Sequence, residues 1–314
     1  MTTPQDVSSS RELSSSRERS SGDVSSSRER SSGSQAVRQA IAEAARLLAQ
    51  AGVSSPRADA EALAAHAGAT TRGLLPLLEA PDAQFFDRLA ELVGARARRV
   101  PLQHLVGTAA FGPVLLHVGP GVFVPRPETE ALLEWATRQD LPPGAVVVDL
   151  CTGSGALAVA LAHAMPSARV VGLDISHDAL TYARRNATGT QVELRLGDVR
   201  DGTLLHDLYG RVDLVVANPP YLPDGIDLEP EVAEHDPAQA LFGGQDGNAL
   251  IADIAPLAAR CLRPGGVVAV EHDDSASHAV ARIFTGTGSF ESVTSHTDFT
   301  GRPRFVSARR KADA

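Results

Sequence analysis

The feature that most constrains the fold is a regular alternation of short aliphatic runs and helical segments from Ala145 onward. Strands and helices that alternate in this way are typical of βα units, which form a parallel sheet. Only a short turn containing glycine and proline separates the last two runs, so these two are expected to pair antiparallel. The predicted strands lie at 145–150, 169–173, 191–196, 212–217, 266–271, 289–295 and 303–308.

The residues ahead of the sheet divide into three further segments. Residues 35–107 carry apolar side chains at helical spacing and predict a small helical domain. Residues 108–130 change to short apolar runs broken by glycine and proline, which predicts a β-hairpin bridging to a domain at 131–314. Residues 1–34 are a repetitive tract of Ser, Arg and Glu with balanced charge, and we expect a disordered tail there.

Composition excludes several classes of protein. The 314 residues are 43% hydrophobic, enough for a buried core, and the net charge of -9 does not suit a protein that coats nucleic acid. The two cysteines are too few for a disulfide framework or a zinc cluster, so no metal site is expected. No apolar run reaches the length of a membrane span or resembles a secretory signal. These observations predict a soluble cytoplasmic protein that binds neither membranes nor, stably, nucleic acid.

A glycine-rich turn joins the first predicted strand to a helix in "VVVDLCTGSGALAVALA" at 146–162. Such a turn lets the backbone approach a ligand next to a helix N-terminus. Asp174 ends the next strand, where a carboxylate can bind the two hydroxyls of a ribose. The helix-opening G-x-G-x-x-G of NAD sites is absent, because Gly155 is followed by Ala-Leu-Ala.

Acidic residues at three strand ends favour S-adenosyl-L-methionine over NAD as the cofactor. That molecule has a ribose, an adenine amino group and a cationic methionyl end, but no pyrophosphate, so acceptor groups suit it better than a phosphate cradle. The predicted cofactor-binding residues are Asp149, Cys151, Thr152, Gly153, Ser154, Gly155, Asp174, Asp198, Val199 and Asn218.

Four more segments, together with these motifs, resemble the HemK/PrmC family, the N5-glutamine methyltransferases of peptide chain release factors. They are "RRVPLQHLVG" at 98–107, "VFVPRPETE" at 122–130, "NPPYLP" at 218–223 and "ALFGGQDG" at 240–247. The resemblance implies a class I S-adenosylmethionine-dependent methyltransferase, with a Rossmann-like seven-stranded sheet whose last strand is antiparallel. It also implies an N-terminal helical domain that docks a release factor, and we expect a monomer. Cys151 stands where the family usually has glycine, and "EHDDSA" at 271–276 lacks the family's usual residues after Glu271.

The Asn-Pro-Pro-Tyr segment, after the strand at 212–217, is the predicted catalytic centre. An amide nitrogen is a poor nucleophile, and two acceptors that hold its N–H groups orient it and favour charge on it in the transition state. The side-chain oxygen of Asn218 and the carbonyl of Pro219 can do this, while Tyr221 offers a flat wall. The predicted catalytic residues are Asn218, Pro219 and Tyr221, and Pro220 joins them in the substrate site.

Two other acceptors remain open alternatives. The exocyclic amino group of a nucleic-acid base is also a planar, delocalised nitrogen, and enzymes that modify it hold the base against an aromatic ring. A glutamine of a ribosomal protein is the second. Gly243-Gly244-Gln245 repeats the Gly-Gly-Gln loop that the family methylates, and we interpret it as a coincidence within the family's own glycine-rich segment.

Overall fold

The computed structural model describes residues 21–78, 81–201 and 203–312, with side chains from residue 33 onward. Contacts divide the chain into two compact units, one ending at Arg98 and one beginning at Arg99. Residues 1–20 of the predicted tail lie outside the described residues, so the expectation of disorder there stays a prediction.

The first unit is helical, as predicted. It contains α1 (Ser21–Gln50), α2 (Pro56–Ala67) and α3 (Ala83–Ala97), with a 3-10 turn at Arg72–Leu77. Its core is aliphatic and aromatic, with Leu48, Leu63 and Phe85 fully buried. Such burial offsets the conformational entropy that is lost when these helices are ordered.

The helix α1 begins at Ser21, whereas the sequence predicted a disordered tail up to residue 34. The backbone of 21–34 therefore continues the helix that the apolar face of 37–48 forms. Adding turns to an existing helix avoids the unfavourable nucleation step, and arginine and glutamate are good helix formers. Low hydrophobicity explains why the tract was not recognised as helical.

The second unit starts with the short helix α4 (Leu102–Val106) and a hairpin of β1 (Thr108–Phe111) and β2 (Val114–His117). The division between units thus lies ahead of the predicted boundary at 107. Pro101 starts α4 and Gly107, with φ of +73°, ends it, so this single turn leads straight into the hairpin. The helix α5 (Glu130–Thr137) then leads to the sheet.

The sheet has seven strands in the order β5-β4-β3-β6-β7-β9-β8. Strands β3 to β7 pair parallel, and β9 pairs antiparallel with both of its neighbours, which confirms the predicted fold class. The strands are β3 (Val146–Leu150), β4 (Arg169–Asp174), β5 (Glu193–Leu196), β6 (Val212–Ala217), β7 (Leu262–Glu271), β8 (Phe290–Thr297) and β9 (Pro303–Arg310).

Helices cover both faces of this sheet, and the central strands are apolar on both sides for that reason. Val147 and Val148, adjacent on β3, contribute to separate hydrophobic clusters on opposite faces. The covering helices that follow α5 are α6 (Ala156–Ala164), α7 (His177–Asn186), α9 (Ala249–Cys261) and α10 (Ser277–Gly286), and the short helix α8 (Pro230–His235) has no buried residue.

The strand order changes direction between β3 and β6. The chain runs outward from β3 through β4 to β5, then returns to place β6 on the other side of β3. The loops that follow β3 and β6 therefore diverge, and a crevice opens at the carboxyl ends of the strands.

Among the helices in the described part of the chain, none has the length and apolar character that crossing a membrane requires. The described residues also contain no group of three or more His, Cys, Asp or Glu side chains arranged to hold a metal ion.

Candidate active site at the carboxyl ends of the strands

The turn after β3 is tightly wound. Cys151, Gly153 and Gly155 all have positive φ, at +61°, +58° and +83°. Gly155 precedes the first residue of α6, and a Cβ there would lie 3.4 Å from the backbone of Ala183, in addition to the strain of its φ. The left-handed φ of Gly155, more than its contacts, favours glycine at this position, and α6 begins at the next residue.

Asp149 lies at the base of this turn and is 1% exposed. Its Oδ2 accepts hydrogen bonds from the Thr152 hydroxyl at 2.6 Å and from the Ala158 N–H at 3.1 Å. Its Oδ1 is buried and has no hydrogen-bond partner among the described residues. Burial raises the pKa of Asp149 to about 7, because removal from water disfavours the charged form. An unpaired buried carboxylate oxygen is a ready acceptor for a cationic ligand.

Asp174 ends β4 beside the same turn. Its Oδ2 accepts from the Gly153 N–H at 2.7 Å, and its Oδ1 accepts from the Ser176 N–H at 2.8 Å. Burial raises the pKa of Asp174, and these backbone donors oppose the rise. Each oxygen keeps a further lone pair, so the carboxylate can accept from two hydroxyl groups at once.

Asp198 differs from the other two acidic residues. It forms an ion pair with Arg200 at 2.5 Å, which lowers its pKa. Its side chain is 28% exposed, and Val199 beside it is buried. Asp198 is thus already ionised and paired, whereas Asp149 and Asp174 are held in a drier environment.

The Asn-Pro-Pro-Tyr turn follows β6, whose six residues are all buried. The Nδ2 of Asn218 donates to the Thr129 hydroxyl at 3.1 Å, and the Tyr221 hydroxyl donates to Glu271 at 3.0 Å. Among the described residues, no hydrogen bond engages Asn218 Oδ1 or the carbonyl of Pro219. Two acceptors on adjacent residues are therefore available at the end of β6.

A cavity of about 810 Å³ brings these groups together, and every residue predicted for the site lines it except Gly155. Gly155 instead lies at the N-terminus of α6, where the turn ends. The cavity joins the turn after β3, the ends of β4 and β5, and the Asn-Pro-Pro-Tyr turn, so the cofactor and acceptor sites predicted separately are continuous.

Sequence reasoning missed the residues behind and beside this cavity. Thr129 contacts Asn218, and Glu271 contacts Tyr221, yet both were noted only as letters of family segments. Arg126 forms an ion pair with the buried Asp236, which also accepts from the Val124 N–H at 3.3 Å. This pair ties the segment after the hairpin to the chain that follows Asn-Pro-Pro-Tyr. The two partners of each contact are far apart in sequence, so spacing alone offers no signal that pairs them.

Two family models match the chain. The one described as "PrmC N-terminal domain" matches residues 39–107, and the one described as "Methyltransferase small domain" matches residues 118–240.

Several curated proteins are similar to this chain over most of their length. A release factor glutamine methyltransferase of Mycobacterium tuberculosis is 59% identical over 278 residues, which cover 87% of this chain and 91% of that protein. One from Streptomyces coelicolor is 48% identical and covers 86% of this chain and 96% of its own. A 4-amino-L-phenylalanine/4-methylamino-L-phenylalanine methyltransferase of Streptomyces pristinaespiralis is 41% identical, covering 82% of this chain and 90% of its own.

Proposed function

This chain belongs to the release factor glutamine methyltransferase family, and from that premise we propose its reaction. It transfers a methyl group from S-adenosyl-L-methionine to the side-chain nitrogen, N5, of the glutamine in the Gly-Gly-Gln loop of peptide chain release factors. The observation that carries the proposal is the pair of unengaged acceptors, Asn218 Oδ1 and the Pro219 carbonyl, in the same cavity as Asp149 and Asp174.

The residues of the cavity fit S-adenosyl-L-methionine. Asp149 Oδ1 is buried without a partner, as expected of an oxygen that receives an ammonium group. Asp174 has lone pairs free for the two ribose hydroxyls and lies one strand away. The backbone of 151–154 separates them, with positive φ at Cys151 and at Gly153, which carries no side chain.

When bound, the cofactor supplies an electrophilic methyl group on a sulfonium. The protein orients the glutamine nitrogen and stabilises the charge that develops on it as its lone pair forms a bond to the methyl carbon. Asn218 Oδ1 and the Pro219 carbonyl accept hydrogen bonds from the two N–H groups of the glutamine amide. These hydrogen bonds align the nitrogen and favour positive charge on it in the transition state. The aromatic ring of Tyr221 packs against the planar amide. The nitrogen loses its proton to water after the transfer.

The first unit completes the proposal as the part that docks the release factor. The residues predicted to bind the cofactor and the acceptor all belong to the second unit. A glutamine flanked by glycines can enter a narrow crevice without side-chain clashes, and binding away from the loop supplies the energy that positions it.

Methyl transfer from labelled cofactor to purified acceptors tests this proposal. The acceptors are folded release factor, its variant with alanine at the loop glutamine, a Gly-Gly-Gln peptide, a ribosomal protein fraction, bare ribosomal RNA and 4-amino-L-phenylalanine. We expect label on folded release factor alone, at the loop glutamine by mass mapping. Label on the RNA, on a ribosomal protein or on the small amine, with none on release factor, would replace the proposed acceptor.

The variant Asn218→Ala tests the acceptor site itself. Removing one of two groups that stabilise the transition state lowers kcat by about 10²–10³-fold. Circular dichroism should show the fold retained, because Asn218 lies at the cavity and not in the core. Wild-type turnover at saturating release factor would contradict the role given to Asn218.

A further inference from the structure

Glu271 is a buried carboxyl group that lies behind the Asn-Pro-Pro-Tyr turn without reaching the cavity. It is the last residue of β7 and is 1% exposed. Its Oε1 accepts from the Tyr221 hydroxyl at 3.0 Å, while its Oε2 is buried and has no hydrogen bond of good geometry among the described residues. A buried oxygen with no donor is costly, so this atom requires an explanation.

The Thr129 hydroxyl is a neighbouring donor that interacts with the Glu271 carboxyl group. Thr129 is 3% exposed, and its interaction with Glu271 lowers the pKa of the carboxyl. The same hydroxyl accepts the hydrogen bond from Asn218 Nδ2 at 3.1 Å. Thr129 therefore links the buried carboxylate of Glu271 to Asn218, the side chain that we propose accepts a hydrogen bond from the substrate amide.

We propose that Glu271 is a positioning residue that acts through Thr129 to fix which end of the Asn218 amide faces the substrate nitrogen. The inference deepens the proposed function and rests on it. A carboxylate can only accept hydrogen bonds, so the single hydrogen of the Thr129 hydroxyl points to Glu271. The hydroxyl then has only lone pairs to offer Asn218. Asn218 must turn its NH₂ group to Thr129 and its oxygen to the cavity.

The direction of these hydrogen bonds matters because the two ends of an asparagine amide have nearly the same shape. With Asn218 reversed, an NH₂ group would meet the NH₂ group of the substrate, and two donors repel each other. A neutral partner at 271 that can donate would permit this reversal, since the Thr129 hydrogen would then be free to point at Asn218 Oδ1. The ionised state of Glu271 is what enforces the productive orientation.

The surroundings of Glu271 make its charge state responsive to pH. Burial raises the pKa of Glu271 to about 7, opposed by hydrogen bonding from Thr129 and Tyr221 and by the charge of Arg304, while Glu128 raises it further. The group is thus largely protonated at pH 6 and ionised at pH 8. Turnover at saturating cofactor and release factor should rise with pH through this range.

Steady-state kinetics of Glu271→Gln, Thr129→Val and Thr129→Ser test the proposal, with methylation of folded release factor by the wild type as the reference. Glu271→Gln keeps the shape but can donate, and Thr129→Val keeps the shape without the hydroxyl. We expect each to lower kcat by about 10²-fold, with KM for release factor and cofactor affinity changing less than about threefold. Thr129→Ser keeps the hydroxyl and should retain most of the activity.

The pH profile and a double variant separate positioning from structural damage. Glu271→Gln should lose the rise in kcat between pH 6 and pH 8. The double variant of Glu271→Gln and Thr129→Val should be no slower than either single one, because both break the same chain of hydrogen bonds.

Asp213→Asn is the matched control. Asp213 is also a buried carboxylate of this sheet, bonded to Arg263 and the Val146 N–H, but it does not line the cavity. The substitution Asp213→Asn should lower the melting temperature and leave kcat unchanged. If Glu271→Gln fails to fold, the difference in kcat between Thr129→Val and Thr129→Ser tests the proposal.

The possible failures are distinct. If the wild type does not methylate release factor, the proposed function fails. If it does, two results would show that Glu271 does not position Asn218. One is that Glu271→Gln keeps the wild-type kcat and its pH dependence, and the other is that Thr129→Val and Thr129→Ser have equal kcat.

Discussion

Gly247 lies directly behind the Asn-Pro-Pro-Tyr turn, and replacing it with alanine should damage both stability and turnover. A Cβ on Gly247 would lie 2.2 Å from the carbonyl oxygen of Tyr221, far inside van der Waals contact, and φ at this position is +74°. Two separate penalties therefore fall on the substitution. Gly225 in the following loop is the matched control, because its φ is +81° but a Cβ there would meet no atom within 4 Å.

The two penalties can be estimated independently. A left-handed backbone costs a non-glycine residue about 1–2 kcal/mol, and this applies equally to Gly225→Ala and Gly247→Ala. Overpacking against a fixed neighbour adds about 1–3 kcal/mol at Gly247 alone. Each kcal/mol lowers the melting temperature of a unit of this size by roughly 2–4 °C, so Gly247→Ala should melt clearly below Gly225→Ala.

We expect Gly247→Ala and Gly225→Ala to differ more in kcat than in melting temperature. The backbone of Tyr221 has to shift to relieve the overlap, and a displacement of about 1 Å near a reacting group lowers kcat by about 10²-fold. Thermal melts by circular dichroism and kcat on folded release factor are the measurements. Equal melting temperatures and equal kcat for Gly247→Ala and Gly225→Ala would refute the claim that this contact shapes the turn.

Four further outcomes are expected. Asp174→Ala should weaken cofactor binding by about 1.5–3 kcal/mol in calorimetry, because charge-assisted hydrogen bonds to the ribose are lost, and undiminished affinity would remove Asp174 from the site. Cofactor affinity should rise from pH 6 to pH 7.5, with proton release at pH 6, because the Asp149 carboxyl has a pKa of about 7 and binds a cation only when ionised; a flat profile would contradict this. Cys151 should react slowly with iodoacetamide at pH 8, since burial and then the charges of Asp174 and Asp149 raise the pKa of its thiol, and rapid labelling would show otherwise. Deletion of residues 1–34 should leave methylation of release factor unchanged, and a several-fold loss would assign the tract a role in docking.

The catalytic sheet could be predicted from sequence because its signals are local. Each buried strand is a short aliphatic run, and Asp149 and Asp174 lie at the carboxyl ends of β3 and β4, where parallel strands bring side chains to one edge. The glycine turn and the Asn-Pro-Pro-Tyr turn have fixed spacings from those strands. Periodicity and turn chemistry therefore suffice to place both within one crevice.

The support of the site could not be predicted in the same way. Thr129 contacts Asn218, and Glu271 contacts Tyr221, because α5, which follows Thr129, and β7 both pack beside β6, and no spacing in the sequence encodes these contacts. The ion pair of Asp198 with Arg200 likewise depends on side-chain direction, which a motif does not specify. The start of α1 at Ser21 was missed for a third reason: a helix can extend through polar residues once it has begun.

The position of β9 has a consequence for synthesis of the protein. It is translated after both β7 and β8, yet it lies between them rather than at the rim of the sheet. Until β9 leaves the ribosome, β7 presents an unpaired edge and β8 has no partner among the seven strands, so the nascent chain is exposed to strand pairing with other polypeptides. A premature stop within 298–303 would therefore remove an interior strand together with Arg304, and β8 would lose its attachment to the sheet.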